Sequence, residues 1–98
     1  MIFHFKTGNV TFFEEDKEYF EKRLSKIRDI LGWKAGDEDS LEISIAMEKG
    51  KQHSGDRFSA SATLIAPHGK FYAEVGADNI KKCADLLQKK LKGQLDSF

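Results

Sequence analysis

Three stretches of strict period-two alternation stand in a row between two stretches of helical periodicity, and that order leaves few folds open to the chain. Leu41, Ile43, Ile45 and Met47 alternate with other residues in the first, Phe58, Ala60, Ala62 and Leu64 with Ser59, Ser61 and Thr63 in the second, and Phe71, Ala73 and Val75 keep the spacing in the third. Successive side chains on a strand point to opposite faces, so each stretch reads as a strand with one face buried. Residues 2 to 6 alternate around Phe3 and Phe5 and form a shorter strand, closed by the turn formers Gly8 and Asn9.

The helical stretches flank the three strands. In the first, Phe13, Phe20, Leu24, Ile27 and Leu31 make a stripe at three- and four-residue steps, Thr11 with Glu14 fits a capping box, and Gly32 supplies a stop. Glu14, Glu15 and Asp16 suit the positive end of the helix dipole, which explains three adjacent carboxylates without acid or base chemistry. In the second, Ile80, Ala84, Leu87, Leu91 and Leu95 form the stripe over residues 78 to 95. The order is strand, helix, three strands, helix. A helical crossover makes strand one parallel to a later strand, while the hairpins make the other pairs antiparallel. With one apolar side per element, the expected fold is an α+β two-layer sandwich: a four-stranded mixed sheet with two helices on one face.

Sixteen basic and sixteen acidic residues cancel over the 98 positions, so any polyanion partner must be met by the distribution of charge rather than its sum. No apolar run approaches the ~20 residues of a membrane helix. The N-terminus lacks the pattern of a signal peptide, which with a lone Cys83 points to a reducing cytosol. Beside the apolar stripe, Cys83 reads as a small core residue. His4, His53 and His68 have no ligand spacing, and neither a phosphate loop nor a nucleophile elbow is present. No catalysis, metal, cofactor or small-molecule substrate is expected.

Lysine on a helix is ordinarily a solvated face. Two helices side by side on a sheet can nevertheless merge their outer flanks, which makes Arg23, Lys26, Lys82 and Lys89 candidates for one basic surface. The loop of residues 48 to 57 has no apolar side chain and adds Lys49, Lys51, His53 and Arg57, while acids gather at 14 to 16 and 37 to 39.

Thr7-Gly8-Asn9-Val10, the helix segment from Glu18 to Ile27, the loop from Glu48 to His53, and the final segment from Leu87 to Leu95 together resemble the ribosome hibernation-promoting factor family, also called ribosome-associated inhibitors. The resemblance spans nearly the whole chain and rests on element order and dispersed positions. It implies a fold like the double-stranded RNA-binding domain, with residues 1–98 forming one ribosome-binding domain. It also implies a cytoplasmic stationary-phase or stress factor that occupies the messenger and transfer RNA channel of the small ribosomal subunit and blocks translation without chemistry. Arg23 and Lys26 match basic positions of the family's first helix, Lys49 and His53 match its loop, and Lys90 matches the basic residue before the final leucine motif. These residues would contact ribosomal RNA phosphates. The chain departs from the family at Gly93 and Asp96, where the family tends to be basic, and at Asp16, where an aliphatic residue is usual; it also stops at Phe98 without a lysine-rich tail. The resemblance is to the short form, so pairing of ribosomes would need another factor. The competing reading is a protein-interaction adaptor that uses the uncovered sheet face, with Ser44, Ser59, Ser61, Thr63, Ile65 and Tyr72.

Overall fold

A computed structural model describes residues 1–29, 41–50, 57–66 and 69–97. The elements follow as β1 (Ile2–Thr7), α1 (Glu14–Leu24), β2 (Glu42–Lys49), β3 (Phe58–Ala66), β4 (Gly69–Ala77) and α2 (Ile80–Asp96). The strands form one sheet in the order β1-β2-β3-β4. β1 runs parallel to β2, with Phe3 opposite Ile43 and Phe5 opposite Ile45, and the two hairpin pairs are antiparallel. Both helices lie on one face, as the alternation requires.

The period-two residues meet the helical stripes in a single core. Leu41, Ile43, Ile45, Met47, Ala60, Ala62, Leu64, Ala73 and Val75 are buried from the sheet, and Phe20, Leu24, Ile27, Cys83, Ala84, Leu87, Leu91 and Leu95 from the helical segments. Cys83 is therefore a core residue. Under β1 the rings of Phe3, Phe5, Phe12 and Phe20 form a cluster, with Phe5 edge-on to Phe20 at 6.3 Å between centroids. That cluster packs at the β1 side of the sheet, while α2 packs chiefly on β4 and β3.

Helix α1 differs from expectation at both ends. Its N-cap is Phe13 rather than Thr11, and the Asp16 carboxylate accepts the Phe13 N–H at 3.1 Å. An extended cap residue does not follow helical periodicity, so Phe13 leaves the stripe and stands 62% exposed. Asp16 takes the third helical position, where a carboxylate can reach back to the cap N–H, and is itself buried. The departure from an aliphatic residue at this position is thus a cap. At the other end the helix closes at the cap residue Ser25, whose backbone N–H keeps the regular bond to the Glu21 carbonyl while its hydroxyl bonds the same oxygen, before residues 26–29 resume helical geometry and bury Ile27. A serine hydroxyl that bonds back to the preceding turn competes with the regular ladder. Leu31, the Gly32 stop, the acids at 37 to 39 and His68 lie outside the described residues.

Helix α2 is capped as its sequence suggests: the Asn79 side chain accepts the Lys82 N–H at 2.8 Å. No helix among the described residues is long and apolar enough to cross a membrane.

Candidate nucleic-acid interface

The two helices touch along one seam, and the contact at its centre is polar. The Tyr19 hydroxyl donates to Asp85 Oδ1 at 2.8 Å, and Arg23 Nε lies 2.7 Å from the same oxygen. Lys81 Nζ stands 5.8 Å from the centroid of the Tyr19 ring, close enough for a cation–π contact. Tyr19 and Arg23 are four apart on α1, Lys81 and Asp85 four apart on α2, so each pair occupies neighbouring positions on one helix face. The hydrogen bond to Asp85 is the first cause, followed by desolvation and the Asp85 charge, that raises the Tyr19 pKa above its ordinary 10.0, against the lowering effect of Arg23.

Around this junction the flanks are basic. Lys22 and Lys26 on the α1 side, and Lys81, Lys82 and Lys89 on the α2 side, are all exposed. Helical spacing puts Lys82 three residues before Asp85 and Lys89 four after it, on the face of α2 that meets Arg23, while Lys26 lies three residues past Arg23, beyond the cap residue Ser25.

The hairpin residues stand at the end of the molecule where both helices begin. Arg57 donates its N–H to the Ala77 carbonyl at 3.0 Å, just before the α2 cap, and accepts from Gly50 at 3.1 Å. A cleft at that end is lined by Phe13, Phe58, Ile80 and Lys81, joining β3 to both helix N-termini. The exposed Lys49 is fixed through its backbone, whose N–H donates to Asn9 Oδ1 at 2.8 Å. Lys51 and His53 lie outside the described residues.

Lys90 is placed elsewhere. Five residues beyond Asp85 on a helix of 3.6 residues per turn, it lies on another side of α2, and its Nζ donates to the Glu74 carbonyl of β4 at 2.8 Å. Tyr19, Lys81 and Asp85 are seam residues that sequence reasoning did not single out. The four-residue spacings within each helix were visible, but the register of one helix against the other was not.

The opposite face of the sheet carries His4, Ser44, Thr63 and Tyr72 in one cross-strand row and Lys6, Ala46, Ser61 and Glu74 in the next. Its centre is shallow because the middle residues are small; Ile65 and Tyr72 are exposed at 42% and 52%. Among the described residues, no group of three or more His, Cys, Asp or Glu side chains is placed to hold a metal ion.

No family model and no curated protein matches this sequence. Solved structures do match in shape, the following two among them. A ribosomal subunit interface protein from Coxiella burnetii superposes with a TM-score of 0.72 at 21% identity, over 99% of this chain and 96% of that one. The N-terminal domain of Protein Y from Thermus thermophilus superposes with a TM-score of 0.75 at 17% identity, over 99% and 97%. The fold is theirs. At such identities the common property is the backbone arrangement.

Proposed function

We propose that this chain is a non-enzymatic, cytoplasmic ribosome-binding domain spanning residues 1–98, which docks on ribosomal RNA of the small subunit in the messenger and transfer RNA channel and thereby stops translation in stationary phase or stress. The observation that carries this reading is the seam. On a fold also found in a ribosomal subunit interface protein, Arg23 meets Asp85 at the junction, Lys82 and Lys89 share that face of α2, and Lys26 follows Arg23 by three residues, although the net charge of the chain is zero. Helical RNA hides its base edges in a deep, narrow major groove, so a protein meets it through shape and through phosphate and 2′-hydroxyl contacts. Exposed lysines on two adjacent helices suit that task, and Lys49 and Arg57 extend the charge at the end where the helices begin. Occupancy of the channel is enough to inhibit; no bond is made or broken.

Sucrose-gradient sedimentation of the purified chain with small ribosomal subunits, paired with a cell-free translation assay, tests the proposal. Co-migration and loss of protein synthesis are expected. Undiminished synthesis at saturating protein, with the chain left at the top of the gradient, would overturn it and favour use of the open sheet face.

A further inference from the structure

We infer that Asp85, although it is an acid among cations, is a positioning residue for RNA: it holds Arg23 by an ion pair at the Nε end of the guanidinium so that the terminal nitrogens meet a phosphate. The inference rests on the ribosome-binding reading. Three observations support the geometry. Asp85 Oδ1 faces two groups from α1, the Tyr19 hydroxyl at 2.8 Å and Arg23 Nε at 2.7 Å, so the carboxylate is tied across the seam rather than loose on the surface. Arg23 Nε is closed to solvent and makes no aligned hydrogen bond, so its contact with Asp85 is an ion pair at the Nε end of the guanidinium. The Arg23 side chain nevertheless keeps 31% exposure, and none of it lies at Nε.

Guanidinium is a rigid planar fork. An anion beside Nε leaves the edge formed by the two terminal nitrogens as the one that can take a second anion, and that edge matches two phosphate oxygens. An unrestrained arginine would lose rotamer freedom on binding, whereas one already held by Asp85 loses less. Tyr19 completes the support without adding charge: its hydroxyl fixes the carboxylate, and its ring is covered by Lys81. In this arrangement Asp85 acts through Arg23 and touches no RNA itself.

The sign of one substitution separates positioning from simple charge. If Asp85 only opposed the phosphates, Asp85→Ala would tighten binding to small subunits, because it removes a negative charge from a basic surface. Positioning predicts the reverse, a weakening of roughly tenfold at moderate salt, the size expected for loss of one charge-assisted hydrogen bond between Arg23 and a phosphate. In an Arg23→Ala background the same substitution should weaken binding no further, since residues that act through each other do not add. Tyr19→Phe, which alters no charge, should weaken binding by a smaller factor, again only when Arg23 is present; it carries the test if Asp85→Ala does not fold. In the free protein, nitrogen-15 spectra should show a slowly exchanging Arg23 Nε–H that disappears in Asp85→Ala. Tighter binding by Asp85→Ala, or equal losses with and without Arg23, overturns the inference. Failure of the unaltered chain to bind overturns the ribosome reading and this one with it, whereas binding that ignores both the Asp85 and Tyr19 substitutions overturns this one alone.

Discussion

Lys90 of α2 reaches over the outer edge of β4 and donates to the Glu74 carbonyl at 2.8 Å, while Gln94, one turn further along, donates to the carbonyl of Tyr72. Among the described strands β4 pairs only with β3, so its outer row of backbone groups would otherwise be open to another strand. The helix guards the edge of the sheet it covers. A lysine that the family resemblance assigns to RNA is thus engaged with the chain's own backbone.

The guard predicts that the double variant Lys90→Ala, Gln94→Ala self-associates. Water can replace the missing donors at these surface carbonyls, so stability should fall by no more than about 1 kcal/mol. Light scattering at rising concentration should show dimers or larger species that the unaltered chain does not form. A monodisperse monomer throughout would mean that the two side chains are not needed to protect β4.

Replacing Lys26, Lys82 and Lys89 together by glutamine should remove most ribosome binding while leaving the Arg23–Asp85 junction in place. Each phosphate contact removed lowers the salt dependence by about 0.7–0.9 in logarithmic slope, so a total reduction of roughly 2–3 is expected. Exposed charges contribute at most ~1 kcal/mol each to stability, and the melting curve should scarcely move. An unchanged slope in a salt titration of subunit binding would exclude these lysines from the interface.

Asp16→Ala should destabilise the chain by about 0.5–2 kcal/mol, the range for removal of an N-terminal cap. The carboxylate accepts the Phe13 N–H, and without it that donor loses its partner at the start of α1. Chemical denaturation checks this. A midpoint equal to that of the unaltered chain would show that the cap contributes nothing.

Tyr19 should titrate above 10.0 in the folded chain, held up chiefly by its hydrogen bond to Asp85. A folded pKa above the unfolded one means that the contribution to stability is complete below about pH 10 and is lost as pH rises through the folded value. With Tyr72→Phe leaving Tyr19 as the remaining tyrosine, ultraviolet titration should show a raised transition that moves down when Asp85 is also replaced by alanine. A transition that ignores Asp85 would contradict the seam geometry.

What was legible from sequence was the face each residue presents within its own element. Alternation placed Ile43, Ile45, Met47, Ala62 and Leu64 inward, and three- and four-residue steps did the same for Ala84, Leu87, Leu91 and Leu95, because burial of one side of a strand or helix writes its period directly into the chain. The element order then left a two-layer sandwich as the arrangement that covers every apolar side. Tertiary structure decided the rest, and each case turns on residues far apart in sequence or on competition for one backbone group. Asp16 displaced Thr11 as the source of the cap by reaching the Phe13 N–H, Lys90 went to Glu74, and Arg23 met Asp85 across the seam. Periodicity states which way a side chain points relative to its own axis. How far one helix slides along another is set by the fit of Phe20, Leu24, Leu87 and Leu91 in the shared core, and only that fit brings Arg23 beside Asp85.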